Sequence, residues 1–182
     1  MKYLFRALIF TLPLTIFGNE NPDLTTSINK LTHLAMQHEV LQHAIQHDGK
    51  IDLTEIFSRE DLWMASNSKP IHLLYRPLQY YFQDIIDQPG SPFVELILMG
   101  SQGETLAAFP TPSDYWQGDE AKFINVMADE SVFVDQLNWD DSTQTISAQI
   151  SVPVKDQSGE MFGVLTGAIE ASLGDLSQLK TK

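Results

Sequence analysis

Aromatic, carboxylate, amide and ammonium groups are concentrated in one short stretch, residues 111–123, here called the aromatic segment. Tyr115 and Trp116 are adjacent and Gly118 follows, with three charged groups nearby: Asp114, Glu120 and Lys122. Two such rings can form the apolar and cation–π wall of a pocket, while a carboxylate pairs with an amine and a lysine with a carboxylate. In a purely structural interpretation, the rings pack beneath a turn whose backbone angle the glycine permits. The sequence is compatible with both.

The start of a helix in the aromatic segment has two possible positions. Asp114 can cap a helical turn whose third residue is Gln117. Asp119 can instead cap a helix that begins at Glu120. The residue pattern does not choose between them.

A second group of candidate site residues comes earlier in the chain. Tyr75 and Arg76 combine an aromatic ring with a cation, and ligand pockets are commonly built from such groups. Core packing of Tyr75 and a surface position for Arg76 are the alternative. The predicted ligand-binding residues are therefore Tyr75, Arg76, Asp114, Tyr115, Trp116, Glu120 and Lys122.

Histidines are frequent between residues 33 and 47. His43 and His47 are four residues apart, a spacing that puts two ligands on one helix face. No glutamate stands in an HExxH arrangement, and His38 falls on the apolar stripe of the predicted helix. We therefore predict a solvated polar face with one packed histidine, and neither a metal nor a cofactor.

Composition excludes several classes of function. The 182 residues include 11 Lys and Arg against 24 Asp and Glu, a formal net charge of −13. Nucleic-acid binding needs a basic surface, so it is not expected. Cysteine is absent, which removes thiolate catalysis and thiolate metal sites. No nucleophile elbow, phosphate loop or metal-ligand spacing is present, so we predict that the protein is not an enzyme.

The N-terminus has the layout of a secretory signal peptide. Lys2 and Arg6 precede an apolar stretch over residues 7–17, and the small Gly18 follows. This stretch is short for a transmembrane helix, which needs about 20 apolar residues. We predict export of a soluble protein to the periplasm after removal of residues 1–18. A retained N-terminal anchor is the alternative.

Periodicity predicts the main elements of the remaining chain. Residues 24–45 have apolar positions at helical spacing, which predicts one long amphipathic helix. Residues 51–92 are predicted to be helical in pieces. Alternating runs about Gly-containing turns predict two β-hairpins, over residues 94–109 and 145–171. Residues 138–143 are rich in turn-forming side chains and predict a turn between strands.

The aromatic segment and the second hairpin together resemble a known family. The run from Ser113 to Lys122 (SDYWQGDEAK), followed by the strand pair with Ser151-Val-Pro-Val and Gly159, is similar to the Cache family of extracytoplasmic sensor domains, also called PDC sensors. The resemblance covers residues 94–171. It implies an α/β (α+β) fold in which the long N-terminal helix packs on a five-stranded antiparallel PAS-like sheet.

The resemblance also implies a function. Residues 19–182 would form a single sensor domain that binds a small molecule, such as an amino acid or small carboxylate, in the periplasm of a Gram-negative bacterium. Family sensors usually precede a kinase, cyclase or chemoreceptor output. Since this sequence contains none, a separate membrane-bound signalling protein is the expected partner, and a homodimer is compatible with the pattern. The alternative is a protein-interaction or structural module without a small ligand.

Overall fold

The computed structural model describes residues 24–47, 51–135, 138–140 and 145–170. Its helices are α1 (Leu24–Ala35), α2 (His38–His47), α3 (Leu53–Ala65), α4 (Arg76–Ile86) and α5 (Ala121–Asp129), with a 3₁₀ turn at Ile71–Leu73. Its strands are β1 (Phe93–Gly100), β2 (Thr105–Phe109), β3 (Phe133–Val134), β4 (Asn138–Asp140), β5 (Thr145–Lys155) and β6 (Met161–Glu170). Within these ranges every helix is too short or too polar to cross a bilayer. The predicted signal peptide, residues 1–18, lies outside them and stays a prediction.

The strands form one antiparallel sheet in the order β2-β1-β6-β5-β3. Strand β4 pairs with β5 as well, opposite Thr145 to Ser147, whereas β3 pairs opposite Ile150 and Ser151. The two short strands share one edge of β5, so the sheet has five strand positions. The predicted α+β class, the five-stranded antiparallel sheet and both hairpins are confirmed. The predicted turn over residues 138–143 is wrong at its start, because Asn138–Asp140 pairs as β4.

The N-terminal helical region lies where it was predicted, but as two helices rather than one. The amide of Met36 donates to the His33 carbonyl, three residues back, at 3.2 Å, which tightens and ends the last turn of α1. The Gln37 carbonyl then accepts from the amide of Leu41 at 3.0 Å and starts α2. A periodicity argument over residues 24–45 does not detect this break, because both halves are amphipathic.

The break changes which histidine is packed. In α2 the buried side chains are Val40, His43 and Ala44. The buried face has rotated relative to a continuous helix, so His38 is exposed rather than packed as predicted. Among the described residues, no three histidine or acidic side chains are grouped closely enough to hold a metal.

Two helix starts follow from local chemistry. The Asp52 side chain accepts a hydrogen bond from the Glu55 amide at 2.9 Å and caps α3. Helix α5 begins at Ala121 with Glu120 as its N-cap, and no side chain caps it. Of the two positions left open by the sequence, the later one is therefore close to the true start, although Asp119 is not the cap.

The sheet separates two apolar cores. Helices α1, α2 and α4 cover one face, whose core includes Leu31, Phe82, Leu96, Leu98, Ile150 and Leu165. The other face lies under α3, the aromatic segment and α5, and its core includes Trp63, Ile97, Met99, Tyr115, Phe123 and Val164. An added Cβ at position 167 would lie 2.8 Å from the Phe93 ring of β1 and 3.0 Å from the Leu31 side chain of α1, so a glycine there allows both to pack closely. The aromatic segment thus belongs to the second face.

Candidate ligand-binding site

The aromatic segment is docked on the β1–β2 hairpin by backbone hydrogen bonds. The Thr105 amide donates to the Tyr115 carbonyl at 2.9 Å, and the Gln117 amide donates to the Gly103 carbonyl at 2.8 Å. These bonds form an antiparallel bridge between Glu104 and Trp116. Gly103 has a φ of 85°, and an added Cβ there would lie 2.3 Å from the Cα of the glycine at position 118. Only glycine allows the two backbones to approach so closely.

Helix α3 holds the aromatic segment from the other side. One carboxylate oxygen of Glu60 accepts hydrogen bonds from the amides of Tyr115 at 2.8 Å and Trp116 at 2.9 Å. The indole of Trp63, which is fully buried, donates to the carbonyls of Ser113 at 3.0 Å and Pro112 at 3.3 Å. Strand pairing leaves these backbone amides and carbonyls without hydrogen-bond partners. Two side chains of α3, Glu60 and Trp63, supply those partners.

Tyr115 is a packed ring with a polar tip. The residue is 1% exposed, and its ring lies 5.8 Å from that of Trp63. Its hydroxyl accepts a hydrogen bond from Arg59 at 3.3 Å, and Arg59 also donates to Glu55 at 2.8 Å. Burial raises the pKa of Tyr115, an effect that Arg59 opposes and that the Glu104 carboxylate reinforces. The phenol therefore stays neutral at physiological pH.

The pKa of Arg59 is also raised. Burial would lower this pKa, but the hydrogen bonds to Glu55 and Tyr115 outweigh burial. Arg59 is thus a fixed cation beneath the aromatic segment.

Trp116 and Asp114 are more accessible than Tyr115. The Trp116 indole donates to the Gln102 carbonyl at 2.8 Å and meets the Phe57 ring edge-on, with 5.0 Å between centroids. The Asp114 carboxylate accepts from the Ser113 hydroxyl at 3.2 Å. Both residues are only partly buried.

Lys122 is the buried cation of this face. The residue is 5% exposed and lies with Phe123 and Val126 on the inner face of α5. Its ammonium is 2.9 Å from the carboxylate of Glu120, whose side chain is 37% exposed. Lysine is almost never fully buried unless it is paired, so this ion pair explains how the charge is tolerated.

Polar side chains of the sheet lie on the same face. The hydroxyls of Ser151 and Thr166 are 2.7 Å apart in the interior. Strand register places Thr166 opposite Ile97, a member of the core under α5, and Glu95 two residues earlier on β1. Glu95 is 2% exposed. A carboxylate and two hydroxyls therefore share the sheet face that α5 packs against.

Two of the seven predicted site residues lie elsewhere. Tyr75 stacks on the ring of His43 in α2, with 4.1 Å between centroids and an interplanar angle of 14°. Arg76 donates to the Tyr80 hydroxyl at 2.7 Å. The other five predicted residues are all in the aromatic segment: Asp114, Tyr115, Trp116, Glu120 and Lys122. The predicted set is thus divided between two places.

Sequence reasoning missed the role of Glu60 in this site. Its two hydrogen bonds span 55 and 56 residues of sequence, and no spacing rule connects positions so far apart. Arg59 and Trp63 were recognisable as a cation and an aromatic residue of a helical region, but not as contacts of Tyr115.

Comparison with known proteins identifies distantly similar solved structures. No family model matches the chain. No curated protein matches it either. Three similar solved structures are the ligand-binding domain of the amino-acid chemoreceptor PctC of Pseudomonas aeruginosa in complex with GABA, the ligand-binding domain of Mlp24 with asparagine, and the sensor domain of E. coli DcuS.

These similarities are distant. The identities are 18% for PctC, 16% for Mlp24 and 13% for DcuS, and the TM-scores are 0.40, 0.40 and 0.42. The matches cover 86%, 85% and 71% of this chain, and 62%, 61% and 94% of the three structures. The chain thus spans less than two thirds of the PctC and Mlp24 domains. GABA and asparagine are the ligands in the structures of PctC and Mlp24, and they are not assigned to this chain.

Proposed function

We propose that this protein is a periplasmic sensor domain that binds a small molecule between the aromatic segment, α5 and the sheet. The observation that carries the proposal is the buried ammonium of Lys122 on α5, a helix that packs against a sheet face with buried polar side chains. The ion pair with Glu120 offsets the cost of burying this charge. A ligand carboxylate can replace Glu120 as the partner of the ammonium.

Glu120 takes part in the proposed binding step. Its half-exposed carboxylate lies 2.9 Å from the Lys122 ammonium, at the distance a ligand carboxylate would adopt. An incoming amino acid or small carboxylate exchanges with Glu120, while Asp114 at the rim pairs with an amine and Trp116 supplies an aromatic surface. Tyr115 is buried and holds the segment in place, so it acts on ligand binding by positioning.

Single substitutions test this site once a binding amino acid or carboxylate has been identified. Lys122→Met keeps the buried methylenes but removes the charge, and we expect about ten- to hundredfold weaker binding of a carboxylate ligand. Glu120→Gln removes the competing carboxylate and should strengthen binding. Asp119→Asn, an exposed change in the same segment, is the matched control and should have no effect. Unchanged calorimetric affinity in both Lys122→Met and Asp114→Asn would place the ligand elsewhere.

The proposal includes export and a membrane partner. Lys2, Arg6 and the apolar stretch that follows support export, and cell fractionation tests it: recovery of the full-length chain in the cytoplasm would contradict it. A membrane-bound signalling protein would receive the signal, and in-cell crosslinking should capture it. Repeated capture of only a second copy of the chain would favour a homodimeric binding role.

A second candidate function is a protein-interaction module without a small ligand. It is favoured by apolar side chains that α3 exposes, at 47% for Leu53, 44% for Phe57 and 58% for Met64. Contiguous exposed apolar surface is typical of interaction sites. Leu53→Ser and Met64→Ser should abolish partner capture under this alternative, but leave small-molecule affinity unchanged under the first proposal.

A further inference from the structure

A cleft between α2 and α4 lies apart from the aromatic segment, on the side of the sheet covered by α1, α2 and α4. Its volume is about 330 Å³, within the range of small-molecule pockets. Its lining includes the packed Leu78, the stacked rings of His43 and Tyr75, and the ring of Tyr81. The cleft thus has an apolar and aromatic floor.

Helix α2 contributes the polar side of this α2–α4 cleft. Glu39, Gln42 and Gln46 follow one another at helical spacing, and all three line the cleft. Burial and then the Glu39 carboxylate raise the pKa of Tyr81, so this carboxylate acts on the phenol across the cleft. Among the described residues, no lysine or arginine is ion-paired with Glu39.

The charge of the α2–α4 cleft selects the class of ligand. Arg76, at the start of α4, is turned to Tyr80, with its guanidinium 5.3 Å from that ring, and does not line the cleft. Glu39 is the one carboxylate among the lining side chains, and the lining contains no lysine or arginine. A carboxylate beside tyrosine rings is complementary to an organic cation. The cation forms an ion pair with the carboxylate and lies over the faces of the tyrosine rings.

We propose that the α2–α4 cleft is a second binding site, which takes a small organic ammonium ligand with an apolar body. Glu39 binds the ammonium, and the rings of Tyr75 and Tyr81 contact both the ammonium and the apolar body of the ligand. Gln42 and Gln46 offer amide groups to additional polar atoms. This site is independent of the one proposed at the aromatic segment, and either can exist without the other.

Calorimetric titration of the full-length protein with phenethylamine tests the proposal, with phenylacetate as the anion of matched shape. Phenethylamine should bind saturably and phenylacetate should not. Glu39→Gln should weaken phenethylamine binding about two- to fivefold, as expected for an exposed ion pair. Tyr75→Leu should weaken it by a similar factor through loss of the cation–π contact. Asp84→Asn, an exposed acid of α4 outside the cleft, is the control and should bind like the unmodified protein.

Amide chemical-shift mapping supplies the location. Phenethylamine should shift amides of α2 and the first turns of α4. Absence of saturable binding, equal affinity in Glu39→Gln and the unmodified protein, or shifts confined to residues 111–123 would each overturn the proposal. None of these outcomes alters the test of Lys122 and Asp114 at the other site.

Discussion

Removing the Glu60 carboxylate should destabilise the protein through the aromatic segment. Glu60→Ala leaves the amides of Tyr115 and Trp116 without the oxygen that now accepts from both, at 2.8 and 2.9 Å. Each hydrogen bond to a charged acceptor stabilises by about 1.5–3 kcal/mol when buried. Because Glu60 is only partly buried, water replaces part of this, and we expect a loss of about 2–3 kcal/mol in the free energy of unfolding.

Urea and thermal unfolding measure the loss. For a chain of this length 1 kcal/mol corresponds to about 2–4 °C, so Glu60→Ala should lower the melting temperature by about 4–12 °C. The neighbouring, exposed Asp61→Ala is the matched control and should change stability by less than about 0.5 kcal/mol. Amide hydrogen exchange should accelerate at residues 115 and 116 in Glu60→Ala before other sites. Equal stability of the two variants would refute the role assigned to Glu60.

Two further predictions concern the same segment. Gly103→Ala should lower the free energy of unfolding by more than about 2 kcal/mol, because it combines a positive φ with a backbone clash. Gly90→Ala, which has a similar φ but open space around it, should lower it by about 1 kcal/mol. Equal losses in urea unfolding would argue against the close approach of the two backbones. The raised pKa of Tyr115 means that its neutral form is favoured in the folded state, so this contribution to stability is complete below about pH 10 and is lost as pH rises through the higher folded value. Tyr115→Phe should flatten the decline in unfolding free energy between pH 9 and 11, and an unaltered decline would show that another group causes it.

The elements that the sequence predicted well are those whose signals are local. Both hairpins follow from alternation and from Gly-containing turns, which report on neighbouring residues only. The helical region before them was located, but its division at Met36 depends on one tightened turn that periodicity does not register. Because of that turn, His43 rather than His38 is the packed histidine.

The chemistry of the aromatic segment was recognisable, but its partners were not. Adjacent aromatic and charged residues indicated a special role for residues 111–123. The contacts that fix the segment come from Trp63 and Glu60, which lie 50 and 55 residues before their partners in the sequence. Such pairings are set by tertiary packing. The same holds for burial: from the sequence Tyr115 and Trp116 were equivalent, whereas the fold buries one and leaves the other half-exposed.

Ligand-dependent stabilisation tests the central claim most directly. Purified protein is heated in the presence of each of a set of amino acids and organic acids, and the melting temperature is recorded. A ligand present at 100 times its dissociation constant adds about 2.7 kcal/mol of stability. For a chain of this size, that is an increase of about 5–11 °C. We predict such an increase for at least one amino acid or small carboxylate, and its loss in Lys122→Met. A screen in which no compound raises the melting temperature would contradict the assignment of a small-molecule sensor.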